Sequence, residues 1–578
     1  MLTEASWKLY THTYNLNEFY IDEVNKTANF KFPFNSNLKG ELRNCDRDAR
    51  WNPELKEWIV PINNWTKTNI LHIIKKYDFK KKVILTEDVD FSYKQNDVDY
   101  AYLRGMCDSK GFTYIPREYQ LEALGYSLDK GSIINGDDVG LGKTFEAIMY
   151  AEVTNSFPCL VIVPASVKDQ WKEKWFEITD GKRSISTINS SPTKKNPNNW
   201  DSDVIIINYD IIGKKQGTGT TVKFQELLDI KWKMAVSDEG HFLKEKKSQR
   251  SQAAKKIIFT KENLIVQLLT GTAVMSKPVE IWNLLVLIGK DNLIADDWHQ
   301  FIRRYCGGYR GRFGWVTDGA TNTIELNKKL RENCYIRREK RDVLSELPPI
   351  TKQVLQVPIS NKKDIDSATL DFIEYVKQTH GLEAADKAME AEHLVQIGIL
   401  RRLAINGKLK GIEQYLKDWK TSGNKKLVIF GIHKDPLQNL SEKFKCPLIS
   451  GGVSSQKKHE IVKDWCKGDD IFLFANMDSA GTGVDGLQKV CSNMIIIELP
   501  WRPSDITQVV GRLDRSGQEE PTTVSFLLND NTIDKEMWEM LELKERITES
   551  VNKGIDVKRN GSGMKAVIKK ILKRAKKS

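Results

Sequence analysis

Short apolar runs cluster in two parts of the chain. Between about 112 and 290 they are SII (132–134), CLVIVP (159–164), VIIINY (204–209), KMAVSDE (233–239) and NLIVQLLTGT (263–272), with helical stretches between them. A second set lies between about 425 and 530: KLVIFGIH, CPLIS, DIFLFA, NMIIIELPW and TTVSFLL. Strands alternating with helices predict an open parallel sheet, so each set predicts one α/β lobe. The intervening stretch 291–424 is polar and reads as mostly helical, except for the Gly/Arg-rich CGGYRGRFGW at 306–315. Ahead of the lobes, FKFPF (30–34) and WNPELKEWIV (51–60) read as strands around a turn, and NNWTKTNILHIIKKY (63–77) has apolar residues at helical spacing. The expected organisation is a small α+β module over 1–95, a first lobe over 96–290, helical insertions and a linker over 291–424, a second lobe over 425–552 and a basic helical tail over 553–578.

Composition narrows the class. Forty per cent of the 578 residues are hydrophobic and fifteen are tryptophan, which excludes disorder as the dominant state. No apolar run approaches the ~18–20 residues needed to span a bilayer, so no membrane role is expected. The opening MLTEASWKLYTHTY lacks a basic stretch followed by an apolar one, so no secretory signal is expected. Eight cysteines without a CxxC pair point to a reducing compartment and away from zinc. The net charge of +12 suggests an anionic partner, but residues 557–578 hold nine basic residues and no acid. Most of the charge is therefore tail. There Met564, Val567, Ile568, Ile571, Leu572 and Ala575 form one apolar helical face, with Lys569 and Lys573 among the basic residues elsewhere. A brace on a lobe, a clamp on a DNA backbone and a membrane-surface helix all fit that pattern.

The sharpest chemical signal is GDDVGLGKT (136–144), between a strand and a helix. Gly140 and Gly142 would let backbone N–H groups turn toward phosphates, and the helix N-terminus adds its positive end. Lys143 would neutralise the β- and γ-phosphates, and Thr144 would hold Mg²⁺. The strict pattern fails at its first glycine, where Asp137 stands. SDEGH (237–241) ends another apolar strand, where an α/β sheet places its ligand chemistry. Asp238 would bind Mg²⁺ and Glu239 would deprotonate the attacking water. In QVVGRLDRSGQ (508–518), Arg512 and Arg515 share a helical face. On spacing alone this is either a pair of arginine fingers or a salt-bridged surface helix.

Taken in order, the segments resemble the Swi/Snf family of DNA-dependent ATPases in helicase superfamily two. The resemblance runs through REYQ (117–120), DDVGLGKT (137–144), CLVIVPASVKDQWKEKW (159–175), SDEGH (237–241), LTGTAVMSKPVEIWNLL (269–285), IRREKRDVLSELPP (336–349), KLVIFGIH (426–433), SAGTGVDGLQ (479–488), PWRPSD (500–505) and QVVGRLDRSGQ (508–518). It implies two RecA-like lobes with ATP and Mg²⁺ in the cleft and duplex DNA across both. Gln120 would read the adenine, and Thr270 and Thr272 would couple the nucleotide to DNA. Arg337 and Arg338, in the junction element, and Gly481 and Gly483, in the second-lobe motif, would contact DNA or couple to it. The resemblance also favours the arginine-finger reading of Arg512 and Arg515. Departures from the family pattern are LTGTA for LTGTP, Asp138 for a glutamate, WRP for WNP, Lys458 for an arginine, and Asp485–Gly486 for an asparagine–leucine pair.

RRYCGGYRGRFGWVTDGATN (303–322) looks most like the annealing-helicase branch, whose N-terminal HARP module the first 80 residues faintly resemble. In that reading Arg43, Arg47 and Arg50, beside Trp51, would bind forked or single-stranded DNA; otherwise Trp51, Trp58 and Trp65 form a small core. The expected function is an ATP-dependent translocase on double-stranded or branched DNA that remodels or reanneals forks, acting as a monomer. Chromatin or protein–DNA remodelling and true unwinding are the alternatives. Compact size suggests a cytoplasmic, nucleoid-associated protein of bacterial or viral origin rather than a nuclear one.

Overall fold

The computed structural model describes residues 18–22, 27–31, 36–45, 49–52, 57–62, 66–77, 80–81, 99–194, 197–217, 219–271, 277–311, 314–378, 387–423, 425–480 and 484–553. The apolar runs form two parallel sheets. The first has seven strands in the order Tyr335–Ile336, Ile133–Asn135, Ile265–Leu269, Met234–Asp238, Cys159–Val163, Val204–Asn208 and Ile185–Thr187. The second has six: Ile350–Gln356, Thr522–Leu528, Asn493–Ile496, Leu427–Gly431, Phe472–Asn476 and Leu448–Ile449. Central strands such as CLVIV and LVIFG are buried along their whole length, because helices cover both faces and no position alternates to solvent.

Two edge strands come from the stretch expected to be mostly helical. Tyr335–Ile336 closes one edge of the first sheet and Ile350–Gln356 one edge of the second. ITKQVLQ pairs on one side only and stays largely exposed, so it carries polar residues and lacks the apolar signature of its neighbours. The Gly/Arg-rich stretch forms a two-stranded antiparallel hairpin, Tyr309–Gly311 with Gly314–Val316. The N-terminal segment is larger than a hairpin plus one helix. It is a five-stranded sheet with helices Ser36–Cys45 and Thr66–Lys76, around a core that includes Phe19, Phe30, Leu42, Trp58 and Ile73.

The last described helix, Asp534–Lys553, packs Met537 and Leu541 in the core of the second sheet and buries Val551 in the core of the first. Asn327 Nδ2 donates to the Val551 and Asn552 carbonyls at 2.6 and 2.8 Å, and Tyr335 Oη is 3.0 Å from Asn552 Oδ1. This helix joins the two lobes; the basic tail, read as a brace on a lobe, a DNA clamp or a membrane-surface helix, lies outside the described residues. In the second lobe Lys408 is fully buried, its Nζ donating to the Ile497 and Leu527 carbonyls and to Asp534 Oδ2 at 2.8, 2.9 and 2.7 Å. Removing one partner of a buried pair costs about 3–5 kcal/mol, because the other charge remains in a medium that solvates it poorly. Lys408→Met should therefore lower the unfolding free energy of this lobe by that amount in urea titration, whereas exposed Lys425→Met should leave it in place.

Candidate nucleotide site

Register brings the chemistry to one edge of the first sheet. Asp238 lies level with Leu269, and Leu269 with Asn135, so three adjacent strands end together. The loop 136–142 leaves the first of these ends and turns into helix Lys143–Val153. Gly140 and Gly142 have φ of 94° and 92°, a region costly for residues with a side chain. A Cβ on Gly142 would also lie 2.6 Å from Gln120 Nε2. Lys143 Nζ donates to the carbonyls of Asp137 and Asp138 at 2.7 and 3.1 Å, so its ammonium lies within the loop at the helix N-terminus. Gln120 is buried against the same loop. Its Oε1 accepts from Arg117 N at 3.0 Å and its Nε2 donates to the Leu141 carbonyl at 3.1 Å.

Two strands over in the sheet, Asp238 Oδ2 accepts from Trp171 Nε1 at 2.7 Å and its carbonyl accepts from Tyr209 Oη at 2.6 Å. Burial, and then the adjacent Glu239 charge, push Asp238 up to about 6. Glu239 sits in the left-handed region at φ 50°, a conformation that costs ~1–3 kcal/mol and clusters at functional sites. Burial would raise this carboxyl, but His241, Lys143 and Arg512 outweigh it and bring Glu239 below its usual range. His241 Nδ1 lies 3.2 Å from Glu239 Oε2 and 3.1 Å from Thr270 Oγ1. Thr270 thus connects the third strand end to the candidate base through one imidazole. The two carboxyls of the pair are consequently unlike: one is poised to titrate and the other stays ionised.

The second lobe faces this edge. A Cβ on Gly140 would lie 3.4 Å from that of Arg515, and one on Gly511 would lie 2.9 Å from a Val139 methyl. Arg512 donates to the Val484 carbonyl at 3.0 Å and to Asp485 Oδ1 at 3.2 Å, and Arg515 pairs with the same Oδ1. The other oxygen of Asp485 accepts from Gln170 Nε2 of the first lobe at 2.6 Å. Although burial opposes it, the two guanidiniums hold Asp485 down to about 2. The departure from the usual asparagine therefore places an anion where both candidate fingers converge. Lys458, another departure, donates to the Ser479 carbonyl at 2.7 Å and supports the start of the same segment.

Arg337 and Arg338, both partly exposed, direct their hydrogen bonds to the phosphate loop and its surroundings. Arg337 donates to the Gly136 and Gly271 carbonyls at 2.6 and 2.9 Å. Arg338, with 12% of its side chain exposed, holds both oxygens of fully buried Asp137 and reaches Glu146 Oε1 at 3.1 Å. Just beyond, Lys340 and Arg341 bind the carboxylate of Asp514, between the two candidate fingers, at 3.0 and 2.7 Å. Residues 337–341 form a strap from the phosphate loop to the finger segment, and coupling is the part of the expectation that this geometry bears on. Sequence reasoning missed Asp137, Glu146 and Asp514. The available signal was an aspartate at the position of the pattern's first glycine.

Thr272, Gly481, Gly483, Lys569, Lys573, Arg47 and Trp65 lie outside the described residues. Arg43 and Arg50 are exposed, Trp51 is 46% exposed and Trp58 is buried. No group of three or more His, Cys, Asp or Glu able to hold a metal occurs among the described residues. The donor set at the loop, one hydroxyl and one carboxylate beside a lysine, suits Mg²⁺ held mainly by phosphates and water.

Residues 50–396 match the SNF2-related domain, and 407–517 match the helicase conserved C-terminal domain. The SWI/SNF-related matrix-associated actin-dependent regulator of chromatin subfamily A-like protein 1 of Xenopus laevis is 26% identical over 486 residues, which cover 81% of this chain and 46% of that protein. Its Caenorhabditis elegans homolog is 27% identical over 457 residues, covering 77% and 63%. The DNA annealing helicase and endonuclease ZRANB3 of Mus musculus is 26% identical over 457 residues, covering 75% and 40%. The chain thus spans between 40% and 63% of the length of these relatives. The expected cytoplasmic setting in a bacterium or virus does not stand: these are animal proteins, two of them named as regulators of chromatin, which is nuclear. Compact size was no guide to host, because the relatives extend well beyond the matched part.

Asp137→Gly would restore the strict loop pattern and remove the main partner of Arg338. The expected outcome is a destabilisation of about 3 kcal/mol, at the low end for breaking a buried pair because Glu146 remains beside the guanidinium. Thermal unfolding checks it; a variant as stable as the parent would refute the anchoring role.

Proposed function

The chain belongs to the SNF2-related family, and on that premise we propose that it is an ATP-hydrolysing motor that translocates on double-stranded DNA and remodels forked or branched structures. The observation that carries this reading is the opposition of two half-sites. Lys143, Asp238 and Glu239 line one sheet edge, and Arg512 and Arg515 face them from the other lobe, with Arg515 against Gly140. The name of the ZRANB3 relative, an annealing helicase, supports reannealing over strand separation as the outcome.

ATP with Mg²⁺ would supply the phosphoryl group and the neutralising charge, with Lys143, Thr144 and Asp238 as the holding residues. Lys143 would exchange the loop carbonyls for phosphate oxygens, which accept a charged donor more strongly. Glu239, ionised and oriented by His241, would take a proton from the attacking water. Arg512 and Arg515 would trade Asp485 for the γ-phosphate, so charge build-up in hydrolysis is met by cations from the opposite lobe. Loss of phosphate returns them to Asp485. That exchange, with the strap 337–341 joining loop and fingers, would link each hydrolysis to opening and closing of the cleft.

Steady-state ATPase assays with duplex, forked and single-stranded DNA and with RNA test the proposal. Duplex DNA should raise turnover several-fold, and equal or stronger stimulation by RNA would overturn the DNA-motor reading. Lys143→Ala should abolish turnover. Glu239→Gln should lower kcat by about 10²–10⁴-fold with ATP binding retained, and Arg512→Ala by at least about 10³-fold. Hydrolysis that survives both lobe-1 variants would remove the site assignment.

A further inference from the structure

Away from the nucleotide edge, an open cleft of about 910 Å³ lies between helix Trp298–Tyr305 and the hairpin 309–316. The helix is firmly mounted. Phe301, Ile302 and Tyr305 are fully buried in the first-lobe core, which turns His299, Arg303 and Arg304 outward. On the hairpin Arg310 pairs directly across from Trp315, so both side chains project from the same face. That face and the outer face of the helix line one cavity.

Its chemistry is cationic and aromatic. Arg303 lies over the Trp315 ring, 5.4 Å from the centroid, and the edges of His299 and Trp298 meet the same ring at 5.4 and 6.2 Å. Arg304 is committed to Glu325. Arg303 and Arg310, both exposed, have no carboxylate partner among the described residues. Asp297, the acid at the rim, accepts from Gln300 N at 2.7 Å and caps the helix. Asp297 is close enough for the Arg303 charge to help lower its pKa, but one acid does not balance two guanidiniums outside any ion pair, so the cleft beside the half-buried indole stays cationic. Guanidiniums and indole together match a ligand that alternates phosphates with flat rings. The base pairs of a duplex are stacked and enclosed, whereas an unpaired strand can stack a base on the indole while its phosphates meet the arginines.

The geometry points to this cleft as a binding site for a single-stranded DNA segment, with Arg303 and Arg310 on consecutive phosphates and Trp315 as the stacking platform. It rests on the motor reading for its DNA partner and adds to it a hold on the unpaired arm of a fork. Just beyond the hairpin, Lys277 Nζ donates to Asp318 Oδ1 at 2.5 Å.

The test uses the full chain without nucleotide, titrated into a fluorescein-labelled oligodeoxythymidine and, separately, a blunt duplex, over a range of salt. Arg303→Ala/Arg310→Ala should weaken single-strand binding at least fivefold. It should also make the slope of log affinity against log salt shallower by about 0.7 for each phosphate no longer neutralised, and leave duplex affinity and duplex-stimulated ATPase unchanged. Near-ultraviolet crosslinking of a 5-iodouracil oligonucleotide should map to Trp315. Unchanged single-strand affinity and slope, an equal weakening on duplex, or crosslinks confined to other residues would each overturn the proposal. A wild-type chain without DNA-stimulated ATPase, whose single-strand binding is nonetheless weakened by the double substitution, would instead remove the motor reading and leave the cleft standing.

Discussion

The structure depends on the buried pair between Arg338 and Asp137. A phosphate loop must be both shaped for an anion and fastened to whatever moves when the anion reacts. Here one carboxylate at the start of the loop fastens it, gripping the strap that runs to the second lobe. Such a pair is costly to bury, and Arg338 offsets that cost with several hydrogen bonds beyond Coulomb attraction. A second carboxyl, Glu146, lies in the same cluster. Burial and then the Asp137 charge push its pKa up, so it gives up its proton less readily than an ordinary glutamate does.

From that anchor the two lobes meet in two different ways. On the nucleotide side the contacts are polar: Gln170 with Asp485, and Lys340 and Arg341 with Asp514. Polar contacts exchange readily with water or with phosphate. Beside the strap, helix Asp534–Lys553 adds an apolar contact: it buries Val551 in the first-lobe core, where opening would expose it to water at a cost.

The central strands were legible because burial on both faces leaves an uninterrupted apolar run, as in CLVIV and VIIIN. Tyr335–Ile336 and Ile350–Gln356 were not, since a two-residue edge and a largely exposed edge carry no such run. The helix Ser36–Cys45 was missed for a similar reason: of the described side chains in SNLKGELRNC, Leu38 and Leu42 alone reach the core. In the site, Lys143, Asp238 and Glu239 were readable because strand ends and glycines frame them. Arg337 and Arg338 were readable as important but not as bound to the phosphate loop, because a run such as IRREKR looks the same whether its charges face water or bond to that loop.

By itself the sequence determined the two parallel sheets, the order of the phosphate loop, acidic pair and arginines, and the family to which they belong. These follow from local signals, namely apolar runs, glycines at a strand-to-helix turn and charge type at fixed offsets. Only the tertiary structure decided which charges meet. Asp137 with Arg338, Asp485 with Arg512 and Arg515, and Asp514 with Lys340 are separated by 201, 27 and 174 positions or more. Pairing across such distances is set by how the sheets close on one another, which no local pattern encodes. The same holds for the arginine and tryptophan cleft, where a helix and a hairpin that each look like ordinary surface become a site once they share a cavity.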